Sequence, residues 1–356
     1  MFHFSIRFIV YQRLSYLGVD IIIATGHAGY REVDLRMAEE VEELDIVVGG
    51  HSHTFLYTGH PPSVEKPEGA YPTFVSQRSG RVVPVVQAYC YTKYLGHLEL
   101  VFDKFGELVD PVPGGGVAFA QPVLLDSSHP QLGWVESKLE KYQEKLEPYR
   151  EVVGYTAVQL FREDNAESSL GNVVTDSMAA AWEDTSIAFI NDGGLRTDIE
   201  KGEITGEDVF GVIPFNNTVD RVVLAGRDIK AVLEWNVAGL CPNQTCEPAE
   251  FYQVAGLRVD YHIKGHNQGR RIQRIQVQGQ DGSLKSLQDD TLYPIAVTSF
   301  LVLPGKSPIY DLMKEHQVGP TDYDMLVKYL EMNSPITTRL EGRIAVHYFM
   351  GYQHRY

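Results

Sequence analysis

Residues 44–55 read LDIVVGGHSHTF. Ile46, Val47 and Val48 are consecutive β-branched residues, and Gly49 and Gly50 end the run. A continuous run of this kind predicts a buried parallel strand, because a half-exposed strand alternates apolar with polar positions. Upstream, VDIIIAT at 19–25 has the same character and stops at Gly26. Between the two, REVDLRMAEEVEE at 31–43 sets Val33, Met37 and Val41 at helical spacing. Together they predict a βαβ unit with parallel strands and a right-handed crossover. Both strand C-termini then share one sheet edge, the edge where open α/β folds hold ligands.

That edge carries histidines. His27 follows the first strand in GHAG, and His51 and His53 follow the second in GGHSH. Neighbouring glycines let the backbone turn sharply and approach a ligand. Imidazole is a common metal ligand, and a strand end places it rigidly. The plainer alternative is that these histidines cap the sheet edge by bonding backbone. A lone histidine favours that reading, whereas three on two adjacent strand ends favour metal. A dinuclear hydrolytic centre would also need a bridging carboxylate and further donors. Asp20 is the only carboxylate before His27, and it lies at the wrong end of its strand.

The remaining chain reads as two halves. GHPPSVEKPEG (59–69) is turn-rich, 72–78, 82–90 and 95–102 read as strands, and PVPGGG (111–116) as a loop. QLGWVESKLEKYQEKLEPYR (131–150) predicts a charged amphipathic helix joining two domains. In the second half, 169–184 reads as a helix with Leu170, Val173, Val174 and Met178 inward, and SIAFI (186–190) as a strand running into NDGGLR. RVVLAG, 253–263, 271–278 and 292–299 read as further strands, and DIKAVLEWNVAGL as a helix.

The chain has 356 residues and formal net charge −16. That balance argues against nucleic acid or an anionic membrane surface as partner, and an anionic substrate would need local positive charge. No apolar run approaches membrane-spanning length. MFHFSIRFIVYQRLSY at the start is interrupted by His3 and Arg7 and does not read as a signal peptide. The last ten residues carry no apolar tail for a lipid anchor. Cys90, Cys241 and Cys246 are too few for a disulfide framework. Cys241 and Cys246 could close a small loop or stay reduced. The Asn243-Gln244-Thr245 sequon between them suits a glycosylated loop of a secreted protein.

Two further constellations carry chemistry. NDGGLR (191–196) offers backbone N–H groups and the Arg196 fork to a phosphate or hydroxyl, although Gly-Gly-Leu-Arg alone is often only a turn. Phe215 in VIPFNNTVD and Phe300 in VTSFLVLPG sit in loops past strands and could sandwich a flat base; either alone is more often core.

Taken together, GHAG, DIVVGGHSHTFLYTG, VPVVQAYCYTKYLGHLEL, SSLGNVVTDSM, INDGGLRTDI, VIPFNNTVD, FYQVAGLRVDY and EGRI occur in the order of the ecto-5′-nucleotidase and apyrase family, which the chain resembles over about residues 17–345. The resemblance implies a metallophosphoesterase domain with two metal ions, usually zinc, joined by a hinge helix to a nucleotide-binding domain. The implied fold is α/β and α+β: a truncated metallophosphoesterase β-sandwich over 1–125, a linker helix over 126–150, a 5′-nucleotidase C-terminal domain over 151–346, and a tail. It implies His27, His51 and His53 as metal ligands. Asn191, Gly193 and Arg196 would bind substrate, Phe215 and Phe300 would clamp the base, and Arg162 would bind phosphate.

Two segments depart from that pattern. The family's D-x-H, bridging-Asp and N-H-E segments have no counterpart here, so the catalytic residues stay unassigned. The glycine-rich loop whose Asp binds ribose is replaced by LVLPGKSPIYD (301–311). The expectation is metal-assisted hydrolysis of nucleoside mono- or diphosphates, extracellular or at the cell surface, with this chain inactive or weak alone. A non-catalytic nucleotide-binding module and an incomplete gene model of an active enzyme stand beside it. A homodimer is left open.

Overall fold

The computed structural model describes residues 13–14, 16–109, 117–242, 251–264, 269–279 and 281–349. The 111–116 loop, the 243–245 sequon and Cys246 lie outside the described residues. The chain divides into two compact units, Met1–Glu136 and Ser137–Tyr356.

The first unit is built on a four-stranded sheet. Its strands are β1 (Ile23–Thr25), β2 (Ile46–Val48), β3 (Thr73–Ser76) and β4 (Val82–Val86), in the order β1-β2-β4-β3. β1, β2 and β4 run parallel, and β3 is antiparallel to β4. The crossover from β1 to β2 is a π turn at Tyr30–Asp34 followed by helix α1 (Leu35–Glu40), shorter than the sequence spacing suggests. Met37, Ala38 and Val41 from this crossover pack with Ala24, Val47, Val83 and Val85 in one core. β5 (Tyr94–Leu100) and β6 (Val117–Leu124) form an antiparallel pair.

β1 differs from its predicted form in two respects. The ladder begins only at Ile23, because Asp45 Oδ2 accepts the Ile22 N–H at 2.7 Å and takes the place of a backbone partner. The strand is also buried on one face only: Ile22 and Ala24 are inside, while Val19, Ile21 and Ile23 are exposed. No second layer covers that face among the described residues.

Helix α2 (Gly133–Leu146) and a 3-10 turn at Glu147–Arg150 occupy the predicted connector. Trp134, Leu139, Tyr142 and Leu146 on α2 are all exposed, so its amphipathic spacing covers no core.

The second unit opens with an antiparallel pair, β7 (Val152–Thr156) and β9 (Gly202–Thr205), and helix α4 (Gly206–Val212) follows β9. It contains a five-stranded mixed sheet of β8 (Ile187–Asn191), β10 (Val219–Ala225), β11 (Tyr252–Ala255), β15 (Leu292–Thr298) and β16 (His316–Gln317), ordered β11-β8-β15-β10-β16. β8 and β15 are parallel and the other pairs antiparallel. Ile187 and Phe189 enter one core, and Ala188 and Ile190 the other. Period-two alternation thus explains why SIAFI has no polar position: both faces of the sheet are covered. On one face lie helix α3 (Ser169–Ala180), capped by Ser168 Oγ accepting Gly171 N–H at 2.9 Å, and helix α7 (Asp322–Asn333). Helix α5 (Gly226–Asn236) packs in the other core.

A second sheet, β14-β13-β12-β17, holds β12 (Leu257–Ile263), β13 (Ile272–Gln278), β14 (Leu284–Ser286) and β17 (Ile344–Tyr348). The single strand expected over 253–263 is therefore two strands in two sheets. The break falls at Gly256, where φ is +68° and a β-carbon would lie 2.1 Å from the Ser186 carbonyl oxygen. The 3-10 turn Ser299–Val302 and the short helix α6 (Ile309–Leu312) follow β15, with Leu301 and Ile309 fully buried in the core. Segment 302–310 is thus integrated into the fold.

In the first unit, Glu65 ties the turn-rich segment to β5. Burial works against its charged form, but the bonds from Lys93 and the Tyr94 hydroxyl outweigh it and hold the carboxyl at about 2. A folded-state value below the ordinary 4.5 stabilises the native state above pH 4.5, and that contribution disappears as pH falls toward 2. Urea unfolding of the full chain across this interval should show a steeper loss of stability for the natural protein than for Glu65→Gln. Equal slopes would contradict the assignment.

Candidate functional site

The first unit brings His27 and His51 together. Their ring centroids are 5.2 Å apart, in an edge-on arrangement. The two loops that carry them are joined by backbone bonds, Gly26 N to Val48 O at 3.0 Å and Gly29 N to Gly50 O at 3.1 Å. Glycine lets them meet closely. A β-carbon on Gly50 would lie 3.0 Å from His27 Nδ1, and one on Gly49 would lie 1.9 Å from Oδ2 of the buried Asp34. His51 and His53 both have positive φ, +78° and +53°, a backbone state that costs energy outside glycine and concentrates at functional loops.

Of the expected trio of metal ligands, the structure pairs two. Among the described residues, no group of three His, Cys, Asp or Glu side chains is arranged to hold a metal ion. The His53 ring packs edge-on against Tyr91 at 5.2 Å between centroids. A residue that sequence reasoning missed organises this loop. Gln87 is buried at the end of β4; its Oε1 accepts Thr54 N–H and the Ser52 hydroxyl, and its Nε2 donates to Gly50 O at 3.2 Å. Ser52 Oγ in turn accepts Tyr30 N–H at 3.0 Å, anchoring the start of the π turn. One carboxamide thus satisfies three groups of the HSH loop. Its only sequence signal is a polar residue at the end of an apolar strand.

The second unit holds a cavity of about 320 Å³ lined by Ile190, Asn191, Gly193, Gly194, Phe215, Asn217, Thr298, Phe300 and Asp322. Four of the sequence-selected residues are therefore on one wall system: Asn191 and Gly193 at the end of β8, Phe215 in the loop before β10, and Phe300 after β15. Phe215 is 55% exposed, an unusual position for a phenyl ring that belongs to a core. Arg196 lies beside the cavity, its Nη1 donating to Gly193 O at 3.3 Å. Arg162 does not line it. Its guanidinium donates to Leu195 O at 2.9 Å and lies 3.8 Å from Asp198 Oδ1.

Asp322, Asn217 and Thr298 were not legible as site residues. Asp322 is the first residue of α7 and is buried. Its Oδ2 accepts Asn217 N–H at 3.2 Å, its Oδ1 accepts Tyr323 N–H at 2.9 Å, and its own N–H donates to Asn217 O at 2.8 Å. Burial pushes its carboxyl above the usual range, while the bonds from Asn217 and Tyr323 oppose that. Ser299 completes the tie: its Oγ accepts Thr218 N–H at 3.1 Å, and its N–H donates to Thr218 O at 2.8 Å. The loops carrying Phe215 and Phe300 are thus bolted to each other and to α7. One buried polar group lacks a partner: Thr298 Oγ1 has no hydrogen-bond partner among the described residues. A buried polar atom without a partner is costly and points to an absent one.

Comparison with known proteins places this arrangement. Residues 152–315 match the family "5'-nucleotidase, C-terminal domain". The 5′-nucleotidase of Bos taurus is 36% identical over 94% of this chain and 60% of its own length. The snake venom 5′-nucleotidase of Macrovipera lebetinus is 32% identical over 94% of this chain and 84% of its own length. The crystal structure of a 5′-nucleotidase precursor from Thermus thermophilus superposes with a TM-score of 0.81 at 30% identity, covering 95% of this chain and 66% of that one. The chain belongs to the 5′-nucleotidase family. It spans about 60% of the length of its bovine and human relatives.

Two substitutions test the first unit's loop. Gly49→Ala must displace the buried Asp34 carboxylate and should cost about 1–3 kcal/mol, as overpacking does. Gln87→Leu leaves Gly50 O and Thr54 N–H without their partner and should cost about 1–3 kcal/mol per buried group. Urea midpoints of the full chain read both; values unchanged from the natural protein would refute the packing described.

Proposed function

We propose that this chain supplies the nucleotide-binding part of a 5′-nucleotidase-type phosphohydrolase, whose reaction is hydrolysis of a nucleoside mono- or diphosphate in nucleotide catabolism. The observation that supports it most is the cavity that gathers Asn191, Gly193, Phe215 and Phe300 and presents the unpartnered Thr298 hydroxyl. A flat base suits two aromatic rings, and a polar atom without a partner suits a ligand that carries donors and acceptors. Arg196, whose Nη1 donates to the lining Gly193 O, is the cation we assign to phosphate or ribose. Adenosine nucleotides are the substrates we favour.

We further propose that the chain by itself is inactive or weak. A pair of divalent metal ions, zinc in the first instance, would supply charge neutralisation and an activated water in this reaction class. Zinc takes four ligands, and the described residues offer two adjacent imidazoles, His27 and His51. The residues present do not complete such a site, and no catalytic step is assigned to them. A binding module that holds nucleotide without cleaving it draws on the same cavity and is the second reading. An oxidising, extracellular or cell-surface setting is supported by Cys241, which is disulfide-bonded. No helix among the described residues is long and apolar enough to cross a membrane.

The test is phosphate release from AMP and ADP by the purified chain with zinc or manganese, alongside calorimetry with AMP. We expect release near the protein-free rate and measurable binding. Phe215→Ala should weaken that binding by about 1–3 kcal/mol, the usual worth of stacking one base on an aromatic ring. Turnover comparable to a full-length relative would overturn the inactivity proposal. Absence of heat at millimolar AMP would overturn nucleotide binding.

A further inference from the structure

The segment LVLPGKSPIYD places a cation, not a carboxylate, beside one of the cavity's aromatic walls. The Lys306 ammonium lies over the Phe300 ring, 5.3 Å from its centroid. Its backbone is held on both sides. Lys306 N–H donates to Leu303 O at 3.2 Å, closing a turn. The next residue, Ser307, is buried and pinned, its Oγ accepting the Tyr252 hydroxyl at 3.0 Å and Ile309 N–H at 3.2 Å. The side chain of Lys306 itself is exposed, and no carboxylate pairs with it among the described residues.

Two cations thus contact residues that line the cavity at different places, Arg196 at Gly193 and Lys306 over Phe300. The carboxylate that lines it, Asp322, already accepts two backbone N–H groups. In a chain of net charge −16, the Lys306 ammonium adds positive charge beside the Phe300 wall of the cavity. A cation at that position cannot accept hydrogen bonds from sugar hydroxyls, since an ammonium only donates. It favours an anionic group instead.

We infer that Lys306 is a specificity-determining residue, and that the cavity prefers nucleotides bearing a second anionic group on the sugar, such as a nucleoside 3′,5′-bisphosphate, over the simple 5′-monophosphate. One phosphate is met at the Arg196 side and the other at Lys306, with the base against Phe300. This deepens the nucleotide-binding reading above and rests on it.

Calorimetry at low ionic strength with AMP and with adenosine 3′,5′-bisphosphate tests it in the natural chain, Lys306→Ala and Lys306→Glu. The natural chain should bind the bisphosphate about five- to tenfold more tightly, the worth of one charge-assisted contact at an exposed site. The preference should fall to near parity in Lys306→Ala, reverse in Lys306→Glu, and shrink with added salt. AMP binding that depends on Phe215, with no preference for the bisphosphate or with the same preference in Lys306→Ala, overturns the role of Lys306 alone. Tighter AMP binding in Lys306→Ala without any bisphosphate preference would make Lys306 a lid on the Phe300 ring and equally overturns it. If neither ligand binds, and Phe215→Ala is indistinguishable from the natural chain, the nucleotide reading falls and this inference with it.

Discussion

Strand β8 is buried on both faces, and the second unit is organised around that burial. Ile187 and Phe189 face one core, Ala188 and Ile190 the other. A central strand in this state cannot shift register by one residue without exchanging its two side-chain sets between unlike cores. Its C-terminal end is therefore placed with little freedom, and Asn191 and Gly193 emerge there. The neighbouring strand β15 ends alongside and delivers Thr298 and Phe300. The cavity inherits its precision from the sheet, and the reciprocal bonds of Asp322 with Asn217 extend that precision to the loop of Phe215.

The first unit obeys a different constraint. Its strand β1 is covered on one face only, leaving Val19, Ile21 and Ile23 exposed, whereas β4 is buried on both faces. Here order at the sheet edge comes from close backbone approach. Gly49 admits the buried Asp34 carboxylate where a β-carbon would collide, and Gly50 lets the backbone lie close against the His27 ring. Gln87 then supplies hydrogen bonds to a loop whose own residues sit at positive φ. Two histidines are brought side by side by this packing, while the third turns to Tyr91.

Much of the fold was legible along the chain. The parallel pairing of β1 with β2 followed from two apolar runs separated by one helical segment, and the connector helix from its charge spacing. Strand lengths were overread wherever a side chain replaced a ladder bond, as Asp45 does for Ile22. The division of 253–263 between two sheets was signalled only by Gly256, which a strand pattern tolerates without comment. For the cavity, the aromatic and glycine residues stood out because their loop positions are unusual. Asp322, Asn217 and Thr298 did not, since Asp beginning a helix and Thr ending a strand are ordinary in any protein.

The sequence alone determined the family, because eight separated segments agree in order and such agreement reports ancestry irrespective of geometry. It also determined which residue types were available: imidazoles at two strand ends, phenyl rings in two loops, and LVLPGKSPIYD where a glycine-rich loop with an Asp was expected. Only the tertiary structure decided which of them meet. Residues as far apart as Asn191, Phe215, Phe300 and Asp322 line one cavity because sheet order and helix packing bring their loops together, and no local pattern encodes those distances. The same holds for Lys306, whose place over Phe300 depends on a turn anchored by Ser307 to Tyr252, a residue distant in the chain.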